Sequence, residues 1–270
     1  MMAQLLAAAF FSGIVAALAW WRGSLSPSGA AGATLVGALI FVFGGWQWGV
    51  FLLIFFVSSS ALSHFKEAEK QAAAEKFDKG HTRDVGQVLA NGGLGSAAAV
   101  MSALAPSPLW LPFFVGVMAT VTADTWATEL GTLSRKPPRL ITNGRVVEVG
   151  TSGGVSLLGT AVSLAGGLLI GASGGFLAGG RPFWLLLGTG ALSGLFGSLF
   201  DSLLGATVQQ IYYCEVCRKE TERKVHKCGH HTHPLRGWPW LNNDLVNFLA
   251  SLVGGLIAAS LSLAMAPPTG

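Results

Sequence analysis

Four carboxylates stand in otherwise apolar surroundings. Asp124 and Glu129 lie in TADTWATELG, Asp201 in GSLFDSLLGA and Asp244 in LNNDLVNFLAS, flanked by Asn242, Asn243 and Asn247. An ionised group at the centre of a membrane helix costs about 2.5 to 3.5 kcal/mol on insertion scales, so such residues mark functional sites by default. Hard oxygen donors of this kind suit magnesium, which keeps positions open for phosphate oxygens. Asp124, Glu129 and Asp201 are therefore the candidate catalytic residues, and with Asp244 the candidate magnesium ligands. Thr120, Asp124 and Thr128 repeat at i, i+4 on one helix face, whereas Glu129 is turned about 140° from Asp124 at about 3.6 residues per turn. Asn243 and Asn247 are one turn apart, which makes a polar ridge where the last apolar segment begins. Helix capping accounts for polar residues at a helix start such as Asn243 and Asp244. It does not account for Asp124, deep inside its segment.

Candidate phosphate-binding groups flank these acids. Arg135, Lys136 and Arg139 follow Glu129 closely, Arg83 precedes another apolar segment, and Gln87 and Asn91 lie just inside it. Cations facing a carboxylate-held metal can clamp a polyphosphate, and they also serve as topology determinants or lipid contacts. In GTSGGVS, Gly153 and Gly154 stand at a helix start, where free N–H groups favour an anion; glycines there equally permit a turn. Arg83, Asn91, Arg135, Lys136, Gly153, Gly154 and Asn243 form the candidate nucleotide and phosphate set. No Gly-Lys dipeptide occurs, which excludes a Walker A loop.

A third group is separate. CEVCRKETERKVHKCGHH places Cys214 and Cys217 two residues apart, then Cys228 and His231 two residues apart, which suits a structural zinc knuckle over 214–233. His226, His230 and His233 compete for the fourth position. Four protein ligands would leave no open position for catalysis at that metal.

The elements that position these residues must be membrane helices. The 270 residues are 51% hydrophobic and 11% charged, against roughly 25% charged in an average soluble domain, so a water-soluble globule and a disordered chain are both excluded. Eight stretches approach the about 20 apolar residues that span a bilayer: 3–21, 30–45, 46–63, 85–105, 109–133, 153–174, 183–209 and 243–266. After the first, third, fifth and seventh come one, five, four and six Lys or Arg, and Arg181 is the single one on the other side. This bias predicts an all-α, single-domain polytopic protein with both termini outside and a basic cytosolic face. The loops 65–84, 134–152 and 210–241 then lie in the cytosol, as do the acid-bearing helix ends. The net charge of +4 follows from these loops and does not imply nucleic acid. Gly167, Gly171 and Gly175, and Gly190 with Gly194, form small-residue ridges suited to close helix packing.

Taken together, RGSLSPSGAAGA, ADTWATELG, PRLITNGRVVEVGTSGGVSLLG, GSLFDSLLGATVQ and LNNDLVNFLAS resemble the integral-membrane family that includes the phytyl-phosphate kinases of plants and cyanobacteria. The strings extend over nearly the whole chain. The resemblance implies a magnesium-dependent enzyme that moves the terminal phosphoryl group of a nucleoside triphosphate, CTP favoured, onto a prenyl or phytyl monophosphate. It is similar in style to CTP-dependent polyprenol kinases and cytidylyltransferases. Carried over, Asp124, Glu129, Asp201 and Asp244 become metal or nucleotide ligands and Asn243 a polar partner, in a bacterial or archaeal cytoplasmic membrane with the site facing the cytosol. The Cys-rich insert departs from the family pattern, so its role does not carry over. A lipid cytidylyltransferase and a secondary transporter are the alternatives; polar groups gathered at one face rather than at the midplane disfavour transport.

Overall fold

The structure is a computed structural model and describes residues 2–77, 80, 82–177 and 183–265. Helices α1 (Met2–Trp21), α2 (Pro27–Leu39), α3 (Trp46–His64), a short α4 (Glu67–Ala74), α5 (Val85–Leu104) and α6 (Trp110–Gly131) come first. Strands β1 (Arg139–Leu140) and β2 (Gly154–Val155) precede α7 (Leu157–Leu177) and α8 (Phe183–Thr207). Strands β3 (Ile211–Cys214), β4 (Lys219–Thr221) and β5 (His233–Arg236) precede α9 (Asn243–Ala264). The chain is a polytopic helical membrane protein.

Each of the eight apolar stretches read from the sequence is helical over most of its length, the sixth starting only at Leu157, after β2. The second runs as α2 into a π-helical turn, Ile40–Gly44, and breaks at Gly45, whose φ of 83° suits glycine. Among the described residues, five helical segments are long and apolar enough to cross a membrane by length and composition: 27–44, α3, α7, α8 and α9. Starts are set by local chemistry. Ser26 accepts from the Gly29 N–H with Pro27 at the first position of α2, Asp84 and Gln87 form a reciprocal capping box on α5, and Asn242 accepts from the Leu245 N–H on α9. The expected all-α chain also carries two small antiparallel sheets, β1-β2 and β4-β3-β5, in the loops. Arg181, the isolated basic residue of the charge argument, lies outside the described residues.

Helix α6 is the hub, because residues on every side of it are buried from Phe114 to Ala123 and it packs on α3, α5, α7, α8 and α9. An all-round apolar helix belongs at a bundle centre. Helices α7 and α8 meet through the glycine ridges: a Cβ on Gly190 would lie 2.6 Å from the Gly171 Cα, and one on Gly194 2.7 Å from the Gly167 Cα. Such close approach gains dispersion contact where lipid offers no hydrophobic drive. Phe51, Trp48 and Phe114 stack in the core nearby. Phe10, Trp21, Phe176 and Trp184 are exposed on the outside of the bundle, as side chains facing lipid should be. The alternating helix directions gather the ends of α3, α6 and α8 and the starts of α5, α7 and α9 at one end, beside the three polar loops.

Candidate functional site

A cleft of about 1060 Å³ opens at that end. Asp124, Glu129, Asp201 and Asp244 all line it, with Arg83, Gln87, Asn91, Gly153, Gly154, Asn243 and Asn247. The convergence is a consequence of helix direction, since α6 and α8 end where α9 begins.

The innermost pair is Asp124 and Asp201. Ser198, three residues before Asp201 on α8, donates its hydroxyl to Asp124 Oδ1 at 3.3 Å and stands 3.1 Å from Ser163 Oγ on α7. Asp201 Oδ2 is buried and has no hydrogen-bond partner among the described residues. It faces the like charges of Asp124 and of Glu222. An uncompensated buried carboxylate oxygen beside a second carboxylate is expensive, and a cation relieves that cost. Asp244, in the first turn of α9, adds a third carboxylate to the cleft wall, and Asn242 caps the helix. Asp124 and Asp201, with Asp244 elsewhere on the cleft wall, offer oxygen donors of the kind a hard divalent ion takes; the three do not form a close ligand cluster of the kind the cysteines make.

Glu129 is placed differently. Ser63 donates to its Oε1 at 2.7 Å, and the Lys70 ammonium bonds its Oε2. Lys70, on α4, is buried and also donates to the Leu62 and Ser63 carbonyls at 2.8 and 3.0 Å. All three of its N–H groups are therefore used: two close the C-terminus of α3 and one ties it to α6. Both oxygens of Glu129 are engaged in this joint. The sequence shows no cation within the spans; the one that meets Glu129 arrives from the adjoining surface helix.

Of the candidate phosphate ligands, Arg83 lines the cleft while Arg135 and Lys136 are exposed and stand outside its lining. Their segment folds away as a hairpin, in which Arg139 pairs with Val155 and donates to the Gly144 carbonyl at 2.8 Å. Arg223, Lys224 and Lys227 of the cysteine-rich segment line the cleft instead. Gly153 and Gly154 line it too, but the Gly154 N–H is given to the Thr151 carbonyl at 2.9 Å. A Cβ on Gly153, whose φ is 83°, would lie 2.4 Å from Ala206 Cβ. Close packing on α8 thus explains that glycine without an anion. Ser156 caps α7 through the Gly159 N–H at 3.0 Å.

The cysteine segment is a compact lobe. Ligand atoms of Cys214, Cys217, His226 and Cys228 lie within 4.8 Å of one another. Cys214 Sγ is 3.7 Å from Cys228 Sγ, which is 3.2 Å from His226 Nδ1. Three thiols and an imidazole are a tetrahedral zinc donor set. His231, favoured by spacing, is exposed and outside this group. It pairs with Val225 across a short hairpin, and successive strand residues alternate faces, so His226 turns to the thiols instead. The backbone N–H of His230 and the His226 ring hold the Cys228 thiol down at about 5, whereas hydrogen bonding with Cys228 pushes Cys217 up to about 11.

This lobe grips the segment after α4. The Glu222 N–H and Thr221 hydroxyl bond the Lys76 carbonyl at 2.9 and 3.1 Å, and Arg223 Nε bonds that of Phe77 at 2.8 Å. Lys219 pairs with Glu75 at 3.1 Å. Gln209 connects the lobe to the α7 approach, donating to Glu222 at 2.7 Å and accepting from Ser152 at 2.8 Å. Glu222, Arg223, Lys224, Lys227 and Lys70 are among the cleft residues that sequence reasoning did not select; only their nearness to the cysteines or to a span end could have indicated them.

Comparison with known proteins agrees with this architecture. No solved structure matches the chain. It is 32% identical to Protein PGR of Arabidopsis thaliana over 96% of both chains, and 32% identical to an uncharacterised membrane protein of Methanocaldococcus jannaschii over 86% of this chain and 84% of that one. It is also 27% identical to Protein VTE6, chloroplastic, of Arabidopsis thaliana, over 87% of this chain and 64% of the relative. Residues 10–255 match the family described as integral membrane protein DUF92, and the chain belongs to that family.

Proposed function

We propose that the protein is a membrane phosphotransferase that converts a prenyl or phytyl monophosphate to the diphosphate at the expense of a nucleoside triphosphate. The observation that carries this is the partnerless, buried Asp201 oxygen beside Asp124 in a cleft that also holds Arg83, Arg223, Lys224 and Lys227. Carboxylates that would hold a divalent cation, together with these basic side chains, would suit a polyphosphate. The similarity to Protein VTE6 and the resemblance to the phytyl-phosphate kinases support the same substrate class, and that resemblance favours CTP.

In this reading Asp124, Asp201 and Asp244 hold magnesium, which when bound would neutralise charge on the transferring group. Arg223, Lys224 and Lys227 bind the polyphosphate, and Asn243 and Asn91 supply polar contacts. An oxygen of the prenyl monophosphate forms the new P–O bond to the terminal phosphorus, and the bond from that phosphorus to its bridging oxygen breaks, releasing nucleoside diphosphate. The nucleophile is already an anion, so positioning and charge stabilisation suffice. We assign a structural zinc to Cys214, Cys217, His226 and Cys228, where it would brace the lobe that carries the cations. The basic-loop bias supports a cytosolic cleft in this reading.

The test is incubation of purified protein with geranylgeranyl or phytyl monophosphate, magnesium and each nucleoside triphosphate, following lipid and nucleotide products together. Prenyl diphosphate with nucleoside diphosphate is expected. A nucleotide-linked lipid with free diphosphate would make it a cytidylyltransferase, and absence of nucleotide consumption would overturn the reading.

A further inference from the structure

A second cavity, about 260 Å³, runs between α1, α2, α3 and α5. Its walls are apolar along most of their length, with Val15, Val36, Val50 and Leu52 among them. Three of its lining residues, Arg83, Gln87 and Asn91, also line the polar cleft. The two spaces therefore meet at one polar junction. At the other end Phe11, Trp46 and Leu53 line the cavity and are exposed, so it opens on the outer, apolar surface of the bundle.

Arg83 is built into this junction. Its backbone bonds Ser24 and Ser26, each at 3.0 Å, which tie it to the turn between α1 and α2. Its guanidinium donates to Ser60 Oγ at 3.0 Å and sits 5.9 and 5.7 Å from the ring centroids of Phe55 and Phe56. Only 8% of the residue is exposed. A buried guanidinium keeps its charge, and one held where an apolar slot joins a polar cleft is complementary to an anion with a hydrocarbon tail.

We infer that this slot is the tail site of a single-chain prenyl phosphate, which enters sideways from the bilayer past Phe11, Trp46 and Leu53 and brings its phosphate to Arg83. The inference rests on the phosphotransferase reading for the nature of the head group. It adds the location of the chain, the route of entry and a basis for selectivity, because a slot of about 260 Å³ has less room for the two chains of a phospholipid than for one. Ala33, on the slot wall, is a position where a larger side chain would fill it.

The experiment uses geranylgeranyl monophosphate with a diazirine at the tail end, photolysed with the full-length protein in detergent, and peptide mass spectrometry. Adducts on α1 and α3 around Phe11, Val15 and Leu53, displaced by unlabelled geranylgeranyl monophosphate but not by phosphatidate, are expected. Adducts on the outer faces of α7 and α8, or equal displacement by phosphatidate, would overturn the inference. The outcome is separable from that for catalysis: turnover with adducts elsewhere retains the phosphotransferase and removes the slot, whereas displaceable adducts in the slot without turnover do the reverse. Where turnover is present, Ala33→Phe should raise KM for the geranylgeranyl substrate roughly tenfold and leave dimethylallyl monophosphate unaffected; an equal effect on both would count against the slot.

Discussion

Ser198 on α8 donates to Asp124 on α6 at 3.3 Å, which fixes one carboxylate of the central pair and leaves the other, Asp201, with a buried oxygen that nothing in the described structure satisfies. The site is thus destabilised where a cation would be bound. Replacing Asp201 by Asn removes a buried charge and adds donors facing Asp124. We expect Asp201→Asn to be more stable than the parent without metal, by about 1 to 2 kcal/mol, and to lose activity by at least about a hundredfold. Thermal unfolding in EDTA alongside product formation tests both parts, and a loss of stability would contradict the assignment.

Asp124→Asn should abolish turnover while the protein remains folded and membrane-inserted. Normal turnover in this variant would remove Asp124 from the site.

Metal linkage offers an independent check. Magnesium at about a hundred times its dissociation constant should stabilise the parent by about 2.7 kcal/mol. The increment should vanish in Asp201→Asn, and chelation should stop turnover reversibly.

Lys70 and Glu129 form a joint between α3, α4 and α6. Lys70→Met should destabilise by about 1 to 3 kcal/mol, because it leaves a part-buried carboxylate on the cleft wall without its counter-ion. The double variant Lys70→Met, Glu129→Gln should recover a large part of that loss. If Glu129 serves the joint rather than the metal, the double variant retains turnover within about tenfold of the parent.

One zinc per chain is expected by elemental analysis, lost in Cys214→Ser and His226→Ala but kept in His231→Ala. Removing the metal should expose the 75–77 segment to protease, since the lobe grips it through Glu222, Thr221 and Arg223.

The same grip has a pH dependence. Lys219 holds Glu75, and Lys76 holds Glu148, below the ordinary carboxyl value of 4.5. A depressed carboxyl contributes fully above the unfolded value and loses its contribution as pH falls through the folded one. Amide protection factors at 219–223, which remove the slowing of intrinsic exchange in acid, should therefore fall below about pH 4.5, and modestly, because Glu75 is part-exposed and Glu148 exposed.

The helices were legible because apolar runs of membrane length, end caps such as Asp84 with Gln87, and basic loops are properties of consecutive residues. Asp124, Asp201 and Asp244 were legible for a related reason: a carboxylate in an apolar run stands out wherever its partners are. What depends on pairing across long sequence separations was not legible. Glu129 reads as another ligand until Lys70, 59 residues earlier, is brought against it. His231 has the right spacing, but strand alternation turns His226 to the thiols. Arg135 and Lys136 follow α6 directly, yet their hairpin carries them out of the cleft while Arg223 and Lys224 enter from a distant loop. The sequence by itself determined a helical membrane protein with acids at one end of the bundle, since burial and helix direction follow from local composition. Tertiary structure decided which acid carries an unsatisfied oxygen among the described residues, which cations share its cleft and where an apolar slot meets that cleft, because those are set by the packing of one helix or loop against another.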